Sequence, residues 1–437
     1  MRLSMDTEIF EANEAQVRSY CRSFPAVFET GRGATLTDQD GRSYVDLLAG
    51  AGALSYGHNH PQIKQAVMDY LAGDGVIHAL DMYTRAKGEF IEALNDVILH
   101  PRGLDYKVTF PAPTGTNAVE TAMKYARRAT GRHNIIAFTN GFHGMTLGAL
   151  AASATRRKRE AGGVSLSGVT RMPYEGYEPG LDSAALLDRM LSDEGGGIDA
   201  PAAIIVETVQ AEGGLNVASG EWLRAIEAVA RRHGALLIID DIQAGCGRTG
   251  TFFSFENMGI QPDLVCLSKA IGGMGLPMAL VLMRPEIDVL APGEHNGTFR
   301  GHNLAFVAAT AALQLWRDPA FEATTQEKAA RLRAHLEDIV KRYPGHGAHV
   351  RGRGMILGIG WDDHSIAAKV STAAFEHGVI AETTGSSDQV IKLLPPLTIS
   401  DDELARGLDG LEQAISQVLQ ADSTETERQS SHLAAAE

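Results

Sequence analysis

The stretch HGALLIIDDIQAGCGRTG, residues 233–250, decides how the chain reads. Its ALLIID run is apolar and β-branched, the composition of a short strand buried on both faces. The run ends in two carboxylates, Asp240 and Asp241, and the segment from Gly245 to Gly250 then has the literal spacing G-x-G-x-x-G. In a dinucleotide site the glycines join strand to helix directly, and an acid follows about 20 residues later. Here DDIQA intervenes, and the following TFFSFENMG is a poor helix start. The context predicts a tight loop rather than a nicotinamide site. The acid at the strand end is the more informative feature, because ligands of open α/β sheets bind beyond the carboxyl ends of the strands. Side chains alternate along a strand, so only one of Asp240 and Asp241 should point inward.

Five further runs share this texture: KVTF (107–110), NIIAFT (134–139), AAIIVET (202–208), LVCLS (264–268) and MALVLM (278–283). Helix-period stretches such as NAVETAMKYARRATG (117–131) and GEWLRAIEAVARRHG (220–234) lie between several of them. Buried strands alternating with helices predict an α/β fold, a mainly parallel central sheet with helices on both faces. After about residue 300 helices dominate and short strands such as MILGIGW follow, the texture of a smaller α+β domain. The expected organisation is an arm and hairpin over 1–60 packing with the small domain, a large domain over 61–310, the small domain over 311–420, and a polar, disordered tail over 421–437.

Bulk properties narrow the function classes. The 437 residues carry 39 Lys plus Arg against 54 Asp plus Glu, a formal net charge of −15. That balance argues against nucleic acid or an anionic membrane as partner. The one basic cluster, Arg156-Arg157-Lys158-Arg159, reads as a solvated face. The three cysteines are widely spaced, with no metal or disulfide pattern, which suits a reducing compartment. The first residues meet acids at once, with no apolar targeting segment, and no apolar run approaches the ~18 residues that span a bilayer. A soluble cytoplasmic protein is expected. His58 and His60 lack a third metal ligand nearby and read as structural.

The chemistry follows from company. Lys269 comes directly after the apolar run LVCLS, and a lysine at the end of a buried strand is unusual unless paired or chemically used. An acid after one strand (Asp240) and a lysine after the next are what pyridoxal phosphate requires. Its aldehyde condenses with a desolvated amine, and a carboxylate partners its ring nitrogen. Thr114-Gly115-Thr116-Asn117 at a helix start supplies free N–H groups, close backbone approach at Gly115 and the Thr116 hydroxyl for a phosphate dianion. GFHG (141–144) places Phe142 and His143 after another strand as candidate cofactor contacts, with Phe142 able to stack on a pyridine ring.

Together GHNHP (57–61), PTGTNAVETAMK, GFHG, VETVQAEGG (206–214), DDIQAGCGRTG, SKAIGG and HNGTFRGHNLA (295–305) resemble the class III aminotransferases, from about residue 20 to 415. The residue spacing itself offers no metal site, and the resemblance implies the fold type I architecture and pyridoxal 5'-phosphate as cofactor. It makes Lys269 the lysine that bonds the cofactor and Asp240 the partner of the ring nitrogen. Gln243 falls near the ring's 3-oxygen, Gly115 and Thr116 in the phosphate cradle, and Phe142 against the ring. Thr298 would reach the phosphate from a neighbouring subunit, which implies a homodimer or higher homo-oligomer. Asp241 replaces the usual second acid of the pair. Lys392, in IKLLPPLTIS, stands where relatives carry an arginine for the substrate carboxylate, and Arg300 and Arg22 are further candidate cations. Glu207 and Glu212 could pair with Lys392 or Arg300 when a substrate lacks a second carboxylate. At finer grain the similarity is greatest to the ectoine-pathway branch. It implies amino transfer from L-glutamate to L-aspartate 4-semialdehyde, giving L-2,4-diaminobutyrate and 2-oxoglutarate. Ornithine, GABA or acetylornithine aminotransfer, and a fold type I aminomutase, remain open alternatives, since one fold hosts several reactions.

Overall fold

The computed structural model describes residues 7–434, with side chains to 421. After two short helices, Glu8–Asn13 and Tyr20–Ser23, come three strands, β1 (Phe28–Arg32), β2 (Thr35–Asp38) and β3 (Ser43–Asp46). The central run comprises β4 (Lys107–Thr109), β5 (Ile135–Phe138), β6 (Val169–Met172), β7 (Ala203–Val206), the short pair β8 (Val209–Gln210) and β9 (Asn216–Val217), then β10 (Leu236–Asp240), β11 (Leu264–Leu267) and β12 (Leu280–Met283). Five strands follow: β13 (His349–Arg353), β14 (Ile356–Gly360), β15 (Val379–Ile380), β16 (Glu382–Thr384) and β17 (Val390–Leu393).

The large sheet has the order β4-β12-β11-β10-β7-β5-β6. β5, β6, β7, β10 and β11 pair in parallel, whereas β12 runs antiparallel to both of its neighbours, β11 and β4. All six strands expected from composition lie in this sheet. β6, VTRM, was not anticipated, because it is short and only half apolar. The ALLIID run explains itself here. Leu237 and Ile239 of β10 face one core with Trp222, Leu223 and Ile226 of the helix Gly220–Arg232. Ile238 faces the other core with Ala118, Val119 and Ala122 of the helix Gly115–Thr130. A strand covered on both sides has no water-facing positions to fill with polar residues. The Gly220–Arg232 helix starts on Ser219 Oγ, which accepts from Trp222 N–H at 3.1 Å.

Two smaller sheets stand beside the large one. β13, β14, β17 and β16 form an antiparallel sheet, and β1, β2, β3 and β15 form another. The parallel pairing of β3 with β15 ties the N-terminal hairpin to the C-terminal third of the chain. The helix Asn303–Gln314 packs on the helices Pro61–Ala72 and Arg85–Ala93. The last helix, Asp401–Ala434, corrects one expectation. The polar stretch from 421 continues it to Ala434, since no Gly or Pro interrupts the helical run there. Residues 435–437 of the expected tail lie outside the described residues, as do residues 1–6 of the arm.

The G-x-G-x-x-G segment is a loop with no helix after it. Gly247 has φ +93°, and a Cβ there would meet Leu397 and Trp316. This turn sends Arg248 into the interior, where it is fully buried. Its guanidinium donates to the carbonyls of Met355 and Pro395 and to Ser55 Oγ (2.8 Å). One side chain thus joins the loop after β10 to the N-terminal segment and to one end of the small sheet. Arg248→Met removes a buried charged donor and orphans its acceptors. It is expected to cost roughly 3 kcal/mol of stability, read as a lowered midpoint in urea unfolding.

Candidate active site

Five parallel strand ends converge on one cavity of about 280 Å³. Its lining includes Gly115 and Thr116 after β4, Phe142 and His143 after β5, Glu207 after β7, Asp240, Ile242 and Gln243 at β10, and Lys269 after β11. Sequence-distant groups meet because parallel strands all deliver their following loops to the same edge.

Lys269 is the most constrained residue of the site. Its backbone has φ +54°, a left-handed conformation that a side-chain-bearing residue adopts at a cost. Burial pushes its ammonium below the ordinary lysine value, and Lys392 adds to this while Glu212 opposes it. Asp240 is buried, with one carboxylate oxygen 2.7 Å from His143 Nδ1 and the other accepting from Ile242 N–H at 3.2 Å. Burial disfavours charge on His143, but the bond to Asp240 outweighs it and holds the ring's proton more tightly than in free histidine. His143, expected to contact a cofactor, therefore orients Asp240 by a direct hydrogen bond. Asp241 points the other way, as alternation requires, and accepts from Ser254 N–H at 3.1 Å. Burial pushes its carboxyl up to about 7.

A second cluster closes the cavity from the small sheet. Lys392 on β17 has no exposed surface, and its Nζ lies 2.7 Å from Glu212 Oε1 and 3.0 Å from Glu382 Oε1. Glu382 faces Lys392 directly in the β16–β17 register. Glu212 sits in the turn between β8 and β9, which Gly385 and Thr384 of the β16–β17 hairpin grip through the carbonyls of Glu212 (3.3 Å) and Ala211 (2.7 Å). Burial alone would raise the Glu212 carboxyl, but Lys392 and then Lys269 hold it well below the ordinary carboxylate range. The same two carboxylates hold the Lys392 ammonium charged against burial.

The remaining expectations divide. Glu212 pairs with Lys392 as anticipated, but Glu207 pairs with neither Lys392 nor Arg300. It follows β7, next to β5, so its carboxylate instead accepts from Phe142 N–H at 2.8 Å. Burial drives its carboxyl well above the ordinary range, with the Asp240 charge adding and the His143 charge opposing. Thr298 is exposed and does not line the cavity. Arg300 is turned to the His295 carbonyl (3.1 Å) and Asp81 (3.9 Å), which places it outside the cavity of its own chain. Arg22 is exposed and bonded to Gln16 (2.8 Å). Two residues earlier on the same helical turn, Tyr20 lies within the field of Glu382 and Glu212. Burial and the charges of Glu382 and Glu212 push its hydroxyl well up.

Sequence reasoning missed Glu382, Tyr20 and Lys158. The signal for Glu382 was present: ETTGSSDQVIKL reads as a hairpin, which sets an acid opposite a lysine. Lys158 belonged to the basic cluster read as solvated, yet its ammonium lies 4.3 Å from the Phe142 ring centroid. No group of three or more metal-ligating side chains occurs among the described residues, and no described helix is long and apolar enough to cross a membrane.

The residues present fit pyridoxal phosphate. Gln243 is held by its amide N–H on the Ala51 carbonyl (2.8 Å), which leaves Oε1 buried without a partner. The Gly115–Thr130 helix opens on the cavity with free N–H groups, and Asn117 Oδ1 steadies its start by accepting from Thr114 N–H at 3.3 Å. At Gly115 a Cβ would press on Ile242 at 3.0 Å, and at Gly144 it would collide with Thr116. Side chains are thus excluded where a phosphate would sit.

The model of the family described as aminotransferase class-III matches residues 17–415. The chain belongs to the class III aminotransferases. It is 54% identical to a diaminobutyrate–2-oxoglutarate transaminase of Halalkalibacterium halodurans over 94% of this chain and 96% of the relative. It is also 54% identical to one of Nocardia farcinica, over 95% of each. Among solved structures, the ornithine aminotransferase from Toxoplasma gondii superposes with a TM-score of 0.84 at 26% identity, covering 96% of this chain and 97% of that one. The acetylornithine aminotransferase from Elizabethkingia anophelis gives 0.76 at 28%, covering 94% and 98%.

Removing Lys392 tests the ion cluster. Lys392→Met leaves Glu212 and Glu382 facing each other in the interior, and should destabilise the protein by roughly 3–5 kcal/mol near neutral pH. Glu212 titrates below its ordinary value of 4.5 in the native protein, so the contribution of the pair is complete above that pH and fades as pH falls below it. The deficit of the variant in thermal unfolding should therefore hold from about pH 7 down to about pH 4.5 and shrink on acidification from there toward about pH 2.

Proposed function

We propose that the chain transfers an amino group from L-glutamate to L-aspartate 4-semialdehyde, yielding 2-oxoglutarate and L-2,4-diaminobutyrate, as in ectoine biosynthesis. The observation that carries this reading is the 54% identity, over nearly the whole chain, to relatives named diaminobutyrate–2-oxoglutarate transaminase. The name of a second Toxoplasma ornithine aminotransferase structure places pyridoxal phosphate at the active site of that protein. Here the cofactor would be held by Gly115 and Thr116 at the phosphate, Phe142 at the ring face, Gln243 at the 3-oxygen, Asp240 at the ring nitrogen and Lys269 at the aldehyde. When bound, it supplies an aldehyde that takes up the amino group and a ring that draws electrons from the substrate carbon.

The residues of the chain do the rest. Asp240, fixed by His143, would hold a proton on the ring nitrogen of the bound cofactor. The Lys269 amine, already disposed to be neutral by burial, would act as the base and acid that moves the proton of the substrate carbon. Glutamate reacts at Cα and carries a carboxylate there, whereas diaminobutyrate reacts at Cγ and carries none. Glu212 neutralises Lys392 in the second case and releases it to the carboxylate in the first. We propose further that the protein works as a homodimer or higher homo-oligomer. Exposed Leu80, Met82, Tyr83 and Phe299 support this, as does Thr298, displayed away from the cavity of its own chain.

An amine-donor screen of the holoenzyme with 2-oxoglutarate as acceptor checks the substrate. Strong preference for 2,4-diaminobutyrate is expected, and preference for ornithine or GABA would overturn the reading. Glu212→Ala should leave Lys392 paired with Glu382 alone and shift the preference toward glutamate over diaminobutyrate by about tenfold in kcat/KM, the worth of one charge-assisted hydrogen bond. Unchanged kinetics in both half-reactions would remove Glu212 from the switch.

A further inference from the structure

Both proposed amino donors carry a carboxylate far from the reacting carbon, and the sequence candidates do not meet it. Lys392 is enclosed by Glu212 and Glu382, a group with one more negative than positive charge. Arg300 and Arg22 point elsewhere in their own chain. Lys158 remains. It lies in the helical turn Arg156–Glu160, and its ammonium rests over the ring of Phe142, a residue of the cavity wall. Its charge is felt at Glu212 across the cavity. Among the described residues no carboxylate pairs with Lys158: its contact is an aromatic face, a weaker hold than a salt bridge on a flexible four-carbon stem.

The substrates share one measure. In glutamate the distal carboxylate carbon is three bonds from the reacting Cα, through Cβ and Cγ. In diaminobutyrate the carboxylate carbon is three bonds from the reacting Cγ, through Cβ and Cα. A single cation at that reach serves both.

We infer that Lys158 is the residue that binds this shared distal carboxylate: the γ-carboxylate of glutamate and the α-carboxylate of diaminobutyrate. Lys392 with its two acids then handles only what differs, the extra carboxylate on the reacting carbon of glutamate. The inference rests on the proposed pair of substrates and deepens it.

Two variants and an unreactive dicarboxylate test the assignment. Glutarate, with no amino group, binds without turnover, and its Kd is measured by calorimetry on wild-type holoenzyme, Lys158→Met and Lys158→Arg. Methionine keeps the packing on Phe142 and removes the charge; arginine keeps the charge. The expected result is a Kd at least about tenfold higher for Lys158→Met, the loss of one charge-assisted contact, with Lys158→Arg close to wild type. KM for glutamate and for diaminobutyrate should rise together in Lys158→Met. The preference for diaminobutyrate over 1,3-diaminopropane, which lacks the distal carboxylate, should fall about tenfold. Unchanged glutarate binding in Lys158→Met overturns the assignment, and so does equal loss in both variants, which marks a packing role. A wild-type enzyme that ignores diaminobutyrate counts against the substrate, not against Lys158, because glutarate binding is read without turnover.

Discussion

Lys392 has no contact with water, and an ammonium without water must be met by carboxylates or lose its proton. Much of the site's architecture answers that demand. Glu382 meets the ammonium across a hairpin, and Glu212 arrives from a turn between two short strands belonging to neither large sheet. To bring them together, the β16–β17 hairpin must dock on the turn carrying Glu212, and it does so through backbone carbonyls rather than side-chain charge. The small sheet is thereby held against the cavity whose floor is the large sheet. Arg248 adds a second tie from the loop after β10 to the same region.

The two halves of the site work by opposite electrostatics. Around Lys269 and Asp240 the protein is built to hold a proton in a set place: a buried amine disposed to be neutral, and a carboxylate fixed by a histidine that keeps its own proton. Around Lys392 charges are kept and balanced. Glu212 belongs to both, since Lys392 and Lys269 together hold its carboxyl down. A substrate that brings a carboxylate to Lys392 therefore also alters the field at Lys269. This couples substrate identity to the amine that moves the proton.

Much of the fold was legible from short-range pattern. Six continuous apolar runs gave six strands of the large sheet, because a strand covered on both faces leaves no alternation to blur. β6 escaped for the converse reason: VTRM is half polar at a sheet edge. In the site, residues at strand ends were the readable ones. Lys269, Asp240, Gly115, Thr116, Phe142, Gln243 and Glu207 all end or follow strands, and parallel topology gathers strand ends at one edge. Lys158 and Tyr20 lie on short helical turns with no such rule, and a run of four basic residues reads as solvent-facing until one of them is seen on an aromatic ring.

The sequence by itself determined the layered α/β architecture, the loop nature of the glycine segment after β10, and the pairing of an acid and a lysine on adjacent strands. These depend on local composition and on the fixed geometry of parallel sheets. Only the tertiary structure decided which charges meet. It turned His143 onto Asp240, gave Glu207 to a backbone N–H, and set Lys392 between two acids 10 and 180 residues away in sequence. The reason is physical: a buried charge takes whichever partner packing brings within about 3 Å, and that distance depends on how two sheets dock, which no single segment encodes.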